Sequence, residues 1–318
     1  MASNLLDRLK NPALRRAAGW VWIGLVIFFL FWYLRRHWSE FRDQAWHLDP
    51  WWTIGAVAWA WLRRLLAAWR WALIAQPGPG RLDRATAWEE MRIYFLSSLA
   101  AYLPGSVWYM ASRIQQSRRI GHGVVKTSLG LVFETGLLLW SGLTVGLLAQ
   151  DRLWPAGSTF LGLLAALLVI LTALALHPRI VNYILGHIFR LIRRPLIRLE
   201  ASWTWGLGVW ILSLGLWLAW GLSLFSLLKA LDPAVSWASL LDITGAYALA
   251  WSLGFLTIWA PSGLGVREGF LFVLLAPYAA VPVAMTAALA SRLVTVSEDL
   301  FWAALALLSG GGRTADLK

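Results

Sequence analysis

The sequence contains no cysteine, which excludes disulfides and thiol chemistry while assigning no compartment. It also lacks a GxxxxGK[ST] run, an HExxH pair and a GxSxG elbow. A phosphate-cradling loop, a zinc protease helix and a serine-hydrolase turn therefore have no local signature. Charge is scarce, at 14% of residues, and acids are scarcer than bases, 16 against 28. Polar stretches between apolar runs reach only about 25 residues, too few for a separate soluble domain. A cleavable signal peptide is not expected either. The basic start MASNLLDRLKNPALRRAAGW is followed by an apolar run ending in FWYLRRHW, without a small-residue cleavage site, and reads as a retained first helix.

Apolar residues fill the space that these absences leave. They make up 59% of the chain, mean hydropathy is +0.62, and several runs approach or exceed about 18 nearly uncharged residues, the signature of membrane spans. The 24 Trp and 7 Tyr suit membrane interfaces. A net charge of +12 raises nucleic acid as a partner. The bases collect between apolar runs, however, so anionic lipid at the cytoplasmic leaflet accounts for them better. The expected fold is an all-α polytopic membrane protein forming one integral membrane domain over 1–318. It would have about six full spans and two re-entrant hairpins.

Helix one is expected over Trp20–Leu34 and a second span over Trp51–Ala75. The second span carries Arg63, Arg64 and Arg70. Arg63 and Arg70 are seven residues apart and share a face, which should meet protein or water because arginine facing lipid is costly. For Arg70, near the helix end, snorkelling is the alternative; for Arg63 and Arg64, nearer the middle, a protein-facing or cavity role is expected. After the turn-rich QPGPGRLDR, the apolar run over 91–103 is too short to span before Pro104 and Gly105 and fits a re-entrant half-helix. Tyr102 precedes that break and Arg113 follows it. A span over 125–148 contains Glu134, which needs a partner, a proton or water. A structural ion pair is its plain alternative.

A further span over 160–176 leads into the most basic segment, 177–200, which alternates apolar and basic groups at helical spacing and reads as an interfacial helix. Another span covers 205–228. From Trp237 an apolar segment runs to a break at Pro261, and WAPSGLGVREG places Gly263, Gly265, Arg267 and Glu268 there. A helix interrupted at membrane depth with charge beside the break is a recurring way to build a polar site in lipid. A turn between two spans, with the charges at head groups, is the competing reading. The last span, 281–308, carries Arg292, Glu298 and Asp299. Arg292 and Glu298 lie six residues apart on different faces, so each should find its partner elsewhere.

Basic excess over 1–18, 113–126 and 177–200 sets these segments, and both termini, in the cytoplasm. Arg35, Arg36 and Arg42 then lie outside, against the rule. On this path a span, a broken hairpin and an acid-bearing span occur over 51–148 and recur with opposite orientation over 205–308. Such inverted halves point to a site at their interface near the midplane.

At these residues the chain resembles bacterial and archaeal membrane proteins grouped with the flippase-like transmembrane domain of lysylphosphatidylglycerol synthases. The likeness runs from about Trp51 to Gly310 and is carried most specifically by PSGLGVREG at Pro261–Gly269. The second-span arginines before Trp71, FLSSLAAYLPGSVW with Arg113 behind it, Glu134, and SRLVT around Arg292 support it. Two departures stand out. Ser106-Val107-Trp108 follows the first Pro-Gly where the family has Gly and a charged residue, and Thr135 follows Glu134 where the family often has Arg. The resemblance implies a bundle with two re-entrant hairpins, and relatives that move aminoacylated phosphatidylglycerol between leaflets or serve polyprenyl-lipid and glycan pathways. The synthases' aminoacyl-transfer domain has no counterpart here.

The expected function is lipid translocation, flippase-like and without nucleotide hydrolysis, in a bacterial cytoplasmic (inner) membrane. Arg63, Arg113, Arg267 and Arg292 would compensate a phosphate. Glu134 and Glu268 would balance the empty cavity or carry a proton, and half-helix N-termini after Pro104 and Pro261 would add donors. The site set is completed by Arg70, Tyr102, Gly105, Gly263, Gly265 and Glu298. The expected partners are membrane lipids with anionic head groups. Other readings remain, with an ion or small-solute transporter the least favoured. One is an accessory subunit of a lipid or glycan synthesis system, with its enzymes as partners. Another is an intramembrane transferase using Glu134 or Glu268 as a base. No cofactor, metal or catalytic residue is expected, since His37, His47, His122, His177 and His187 fall in or near interfacial segments.

Overall fold

The computed structural model describes residues 24, 28, 31–32, 35–36, 38–44, 46–77, 82–102, 108–149, 159–191, 201–257, 263 and 265–309. Among them the chain is all helical. The helices are α1 (Trp38–Asp43), α2 (Pro50–Ala75), α3 (Arg84–Ser98), α4 (Trp108–Arg119), α5 (Val124–Leu148), α6 (Thr159–Ala175), α7 (Pro178–Leu191), α8 (Trp203–Leu231), α9 (Leu240–Leu256), α10 (Val266–Leu275) and α11 (Val281–Leu308). The helix expected over 20–34 lies mostly outside the described residues.

Three helices are long and apolar enough to cross a membrane: α5, α8, and α9 together with the 3₁₀ turn that leads into it, Trp237–Leu256. The last of these was expected as one arm of a hairpin. That segment was expected from Trp237, and the turn Trp237–Ser239 forms its first residues. Helices α2 and α11 have 26 and 28 residues but carry their charged groups near mid-length. α6 stops at 17 residues. The apolar segment expected over 91–103 is the end of a longer element. Asp83 accepts from the Thr86 amide at 2.7 Å and starts α3 at Arg84, and a 3₁₀ turn continues to Tyr102. α7 falls within the segment expected to be interfacial and segregates its apolar and polar residues strongly.

Helices α2 and α8 lie antiparallel along their whole length, and three hydrogen bonds fix their register. The Asp49 amide donates to the Ala230 carbonyl at 3.0 Å, Ser223 Oγ to the Ala56 carbonyl at 2.8 Å, and Trp205 Nε1 to the Leu73 carbonyl at 3.2 Å. Asp49 also caps α2 through the Trp51 and Trp52 amides. Small residues let the helices approach. Ala56, Ala60, Ala67, Ala68 and Ala72 are buried on α2, and Gly142 and Gly146 of α5 meet Trp217 of α8 and Leu249 of α9 with no space for a Cβ. This is the small-xxx-small packing by which helices associate where lipid offers no hydrophobic drive.

Two apolar clusters result. One joins α8, α9, α10 and α11 around Trp217, Phe225, Ile243, Leu271 and Val283. The other joins α2, α3, α5 and α8 around Trp71, Phe95, Leu131 and Leu216. Between the clusters, α3 packs on α11 and α5 packs on α9. Each of α3 and α9 therefore rests on a long helix distant from it in sequence.

Candidate functional site

Ten buried or half-buried ionic groups, six arginines and four carboxylates, converge between these clusters. The deepest pairs are adjacent doublets. Arg63 and Arg64 on α2 form ion pairs with Glu298 and Asp299 on α11, respectively. Neighbouring residues on a helix point about 100° apart, so one doublet needs another to satisfy both directions. Glu298 has no exposure. Arg63 also lies over the Trp220 ring, 4.3 Å from its centroid. Tyr102 donates its hydroxyl hydrogen to Asp299 Oδ2 at 2.7 Å, tying the end of the first hairpin arm to α11.

A second group centres on Glu134. Its Oε2 accepts from Arg113 Nη1 at 2.7 Å, while Oε1 stands 3.4 Å from Arg70 Nη2. One carboxylate thus serves two guanidiniums. Arg70 donates in addition to Ser213 Oγ at 2.9 Å, and Arg113 Nε to Ser97 Oγ at 3.0 Å. Trp71, Tyr94 and Tyr109 surround the Arg113 guanidinium at 4.6, 4.3 and 5.9 Å. Their π faces soften the cost of burying a cation.

The third group belongs to the second break. Gly263 and Gly265 have φ of +66° and +81°, a region open to glycine. A Cβ on Gly263 would also lie 2.8 Å from the Gly254 carbonyl oxygen. The turn delivers Arg267 to Tyr247, whose hydroxyl accepts from Nη2. Glu268 accepts from the Gly265 amide at 2.7 Å and lies 3.9 Å from Arg292. Glu268 thus engages the amide of the N-cap residue Gly265 at the start of α10.

A cavity of about 440 Å³ lies among these groups, within the usual size range of ligand sites. Arg64, Arg70, Arg113, Arg267 and Arg292 line it, with Glu134, Asp299, Tyr94 and Tyr109. Trp251 and Phe255 of α9 and Leu138 of α5 give it an apolar side. Of the expected site residues, Arg70, Arg113, Glu134, Gly263, Arg267 and Arg292 reach the cavity. Arg63 and Glu298 stand behind its wall, paired to each other, and Tyr102, Gly265 and Glu268 hold lining elements in place. Pro104, Gly105 and Pro261 lie outside the described residues. Arg64, expected to face protein or a cavity, lines it as well, whereas Asp299, Tyr94 and Trp251 were not foreseen as site residues. Only the matched doublets Arg63-Arg64 and Glu298-Asp299 signalled any of them.

This is the arrangement of a membrane domain whose polar groups face inward. The match to the model of the lysylphosphatidylglycerol synthase TM region covers residues 19–297. The chain belongs to that family. The synthase TM-region family places it among integral membrane domains related to lipid synthesis or handling. A search of curated proteins gives no match to the chain. Among the described residues, no group of three or more His, Asp and Glu is placed to hold a metal ion.

In the first half of α3, outside the helices long and apolar enough to cross, Glu90 is fully buried. It accepts from Gln76 Nε2 at 3.2 Å and faces His122 Nε2 at 3.3 Å. Burial pushes the Glu90 carboxyl up to about 7 and pushes the His122 imidazole down.

Proposed function

We propose that the protein is a lipid translocase, moving a phospholipid or polyprenyl-phosphate-type lipid between leaflets through the central cavity. The observation that carries this reading is the convergence of guanidiniums from both parts of the chain on one enclosed space. Arg64, Arg70 and Arg113 come from α2 and α4, Arg267 and Arg292 from α10 and α11. Arg64 and Glu134 sit about 15–20 Å along their helices at 1.5 Å per residue, close to mid-length. A phosphate head group is excluded by hydrocarbon and attracted by such groups. The apolar side on α9 and α5 suits the start of an acyl or prenyl chain.

The inverted-repeat arrangement belongs to the same proposal. Helices α2 and α8 are its first members, and their antiparallel register supports it, as does the crossed packing of α3 on α11 and α5 on α9. In this scheme both termini face the cytoplasm, the membrane is the bacterial inner one, and anionic lipids are the partners. Polar residues of the two breaks make alternating access about a fixed midplane site the natural mechanism. Arg–carboxylate pairs would open to receive the phosphate and close again after its departure.

The test is reconstitution in liposomes with labelled phospholipid and polyprenyl-phosphate probes, comparing wild type with Glu268→Gln. Faster leaflet exchange with wild type than with Glu268→Gln is expected. Exchange no faster than in protein-free vesicles, across both probe classes, would sink the reading. Substitutions at Arg267 and Glu268 that leave a lipid or glycan synthesis pathway intact, with normal insertion, would favour the accessory-subunit alternative.

A further inference from the structure

The cavity's charges do not balance. Six guanidiniums gather there, from Arg63, Arg64, Arg70, Arg113, Arg267 and Arg292, and four carboxylates, from Glu134, Glu268, Glu298 and Asp299. With every group ionised, the described residues leave a formal surplus of two positive charges. The surplus can be located. Arg63 and Arg64 each have their own carboxylate, and Arg292 has Glu268. Arg70 and Arg113 share Glu134, which leaves one cation over. Arg267 meets the phenol of Tyr247 and, among the described residues, no carboxylate. It is only 7% exposed and lines the cavity, so a ligand there meets a guanidinium with no carboxylate of its own among the described residues.

Proton loss cannot remove this surplus, because guanidinium stays charged in proteins. A buried, uncompensated cation is costly. The three guanidiniums that carry the surplus all line the same cavity, so a single anion can answer them together. We infer that the cavity selects a phosphate monoester or diphosphate group carrying two negative charges, over a monoanionic phosphodiester or a cationic head group. The inference takes the proposed substrate site and names the charge of what enters it. A monoester at neutral pH carries about 1.5 to 2 negative charges, which matches the surplus. A diester carries one and leaves either Arg267 or the Arg70–Arg113 pair unanswered. An aminoacylated lipid with net positive charge would add to the imbalance.

The ligand's source is a separate matter from its charge. Phe255 of α9 lines the cavity beside Trp251 and Leu138 and is 38% exposed. This apolar side next to the guanidiniums suits a hydrocarbon chain attached to the phosphate, and favours a lipid-borne phosphate over a free one.

The experiment measures binding to the full chain in detergent micelles. The lipid probes are phosphatidic acid, an alkyl monophosphate, phosphatidylglycerol and an aminoacylated phosphatidylglycerol; inorganic phosphate and pyrophosphate probe the free ion. Both lipid monoesters should bind about tenfold or more tightly than phosphatidylglycerol, the scale of one charge-assisted hydrogen bond set. Arg267→Gln should shrink that preference to about twofold or less, whereas Arg267→Lys should retain most of it. The preference should fade as the pH falls from 8 to 5, where the monoester gives up its second charge about pH 6. Equal affinity for diester and monoester, or tighter binding of the cationic lipid, overturns the inference. Inorganic phosphate binding as tightly as the lipid monoesters supports the dianion and overturns the lipid source. Selective monoester binding without leaflet exchange of any lipid would remove the translocase reading and keep the charge assignment. Exchange of every lipid with no charge preference would do the reverse.

Discussion

At the first break Arg113 closes on Glu134 at 2.7 Å, both are buried, and three aromatic rings stand around the guanidinium. At the second break Arg292 stands 3.9 Å from Glu268, and its side chain is 24% exposed. Glu268 spends one oxygen on the Gly265 amide, and Arg267 rests on a phenol. The two sites therefore use similar residue types to different ends. Contacts that are short, buried and shared among several partners hold a structure together. Contacts that are long and partly wet exchange partners at little cost. The first break is built as an anchor, and the second as the part that can release its charges to a ligand.

That contrast fixes an order of effects. Glu134→Ala should be the most damaging, because Arg70 and Arg113 both lose their carboxylate in a buried setting. We expect a loss of about 3–5 kcal/mol, seen as a large drop in detergent melting temperature or as failure to accumulate. Glu298→Ala strands only Arg63 and should cost about 3 kcal/mol. Arg63→Met combined with Glu298→Met should recover most of that loss, and a double variant as unstable as the single one would show that the pair does more than cancel charge.

Glu90 sharpens the comparison through pH. Its carboxyl titrates at about 7 in place of the ordinary 4.5. Between these values the folded protein holds a proton that the unfolded chain sheds. Stability contributed by this group is thus complete below 4.5 and is lost as the pH climbs through 7. Glu90→Gln should melt a few degrees above wild type at pH 8 and level with it at pH 4.5, as followed by thermal melts across that range.

Glu268→Gln should have the smallest effect on folding, at or below about 1 kcal/mol, since it weakens a cap and a long ion pair. Its melting temperature should stay close to that of wild type while leaflet exchange falls. A loss of stability as large as that of Glu134→Ala would make both breaks anchors and erase the distinction.

Much of this arrangement is legible along the chain. Uncharged runs gave α5 and α8 nearly to the residue, and the glycines of PSGLG announced a turn that only they can make. The cost of burying Glu134 announced a partner, and Arg113, already on the expected site, supplied it. The six-residue spacing of Arg292 and Glu298 correctly denied them each other. What escaped is what depends on contacts distant in sequence. Nothing local tells Arg63 to turn behind the wall to Glu298 while Arg64 lines the cavity, since both sit in the same apolar helix. The aromatic lining suffers likewise, because 24 tryptophans make any one of them uninformative. The apolar segment was expected from Trp237 onwards, and the structure opens it there with a short 3₁₀ turn before α9.

The antiparallel pair α2 and α8 has one more implication. Stitched at Asp49–Ala230, Ala56–Ser223 and Leu73–Trp205, near each end and partway along, it behaves as a mechanical beam. A beam fastened in this way resists both sliding and twisting. In the proposed translocation cycle, the rearrangement would therefore be borne by the shorter, less stitched helices on either side. Spin labels on α2 and α8 would keep a constant separation through the cycle and provide the ruler against which the travel of α4 and α10 is measured.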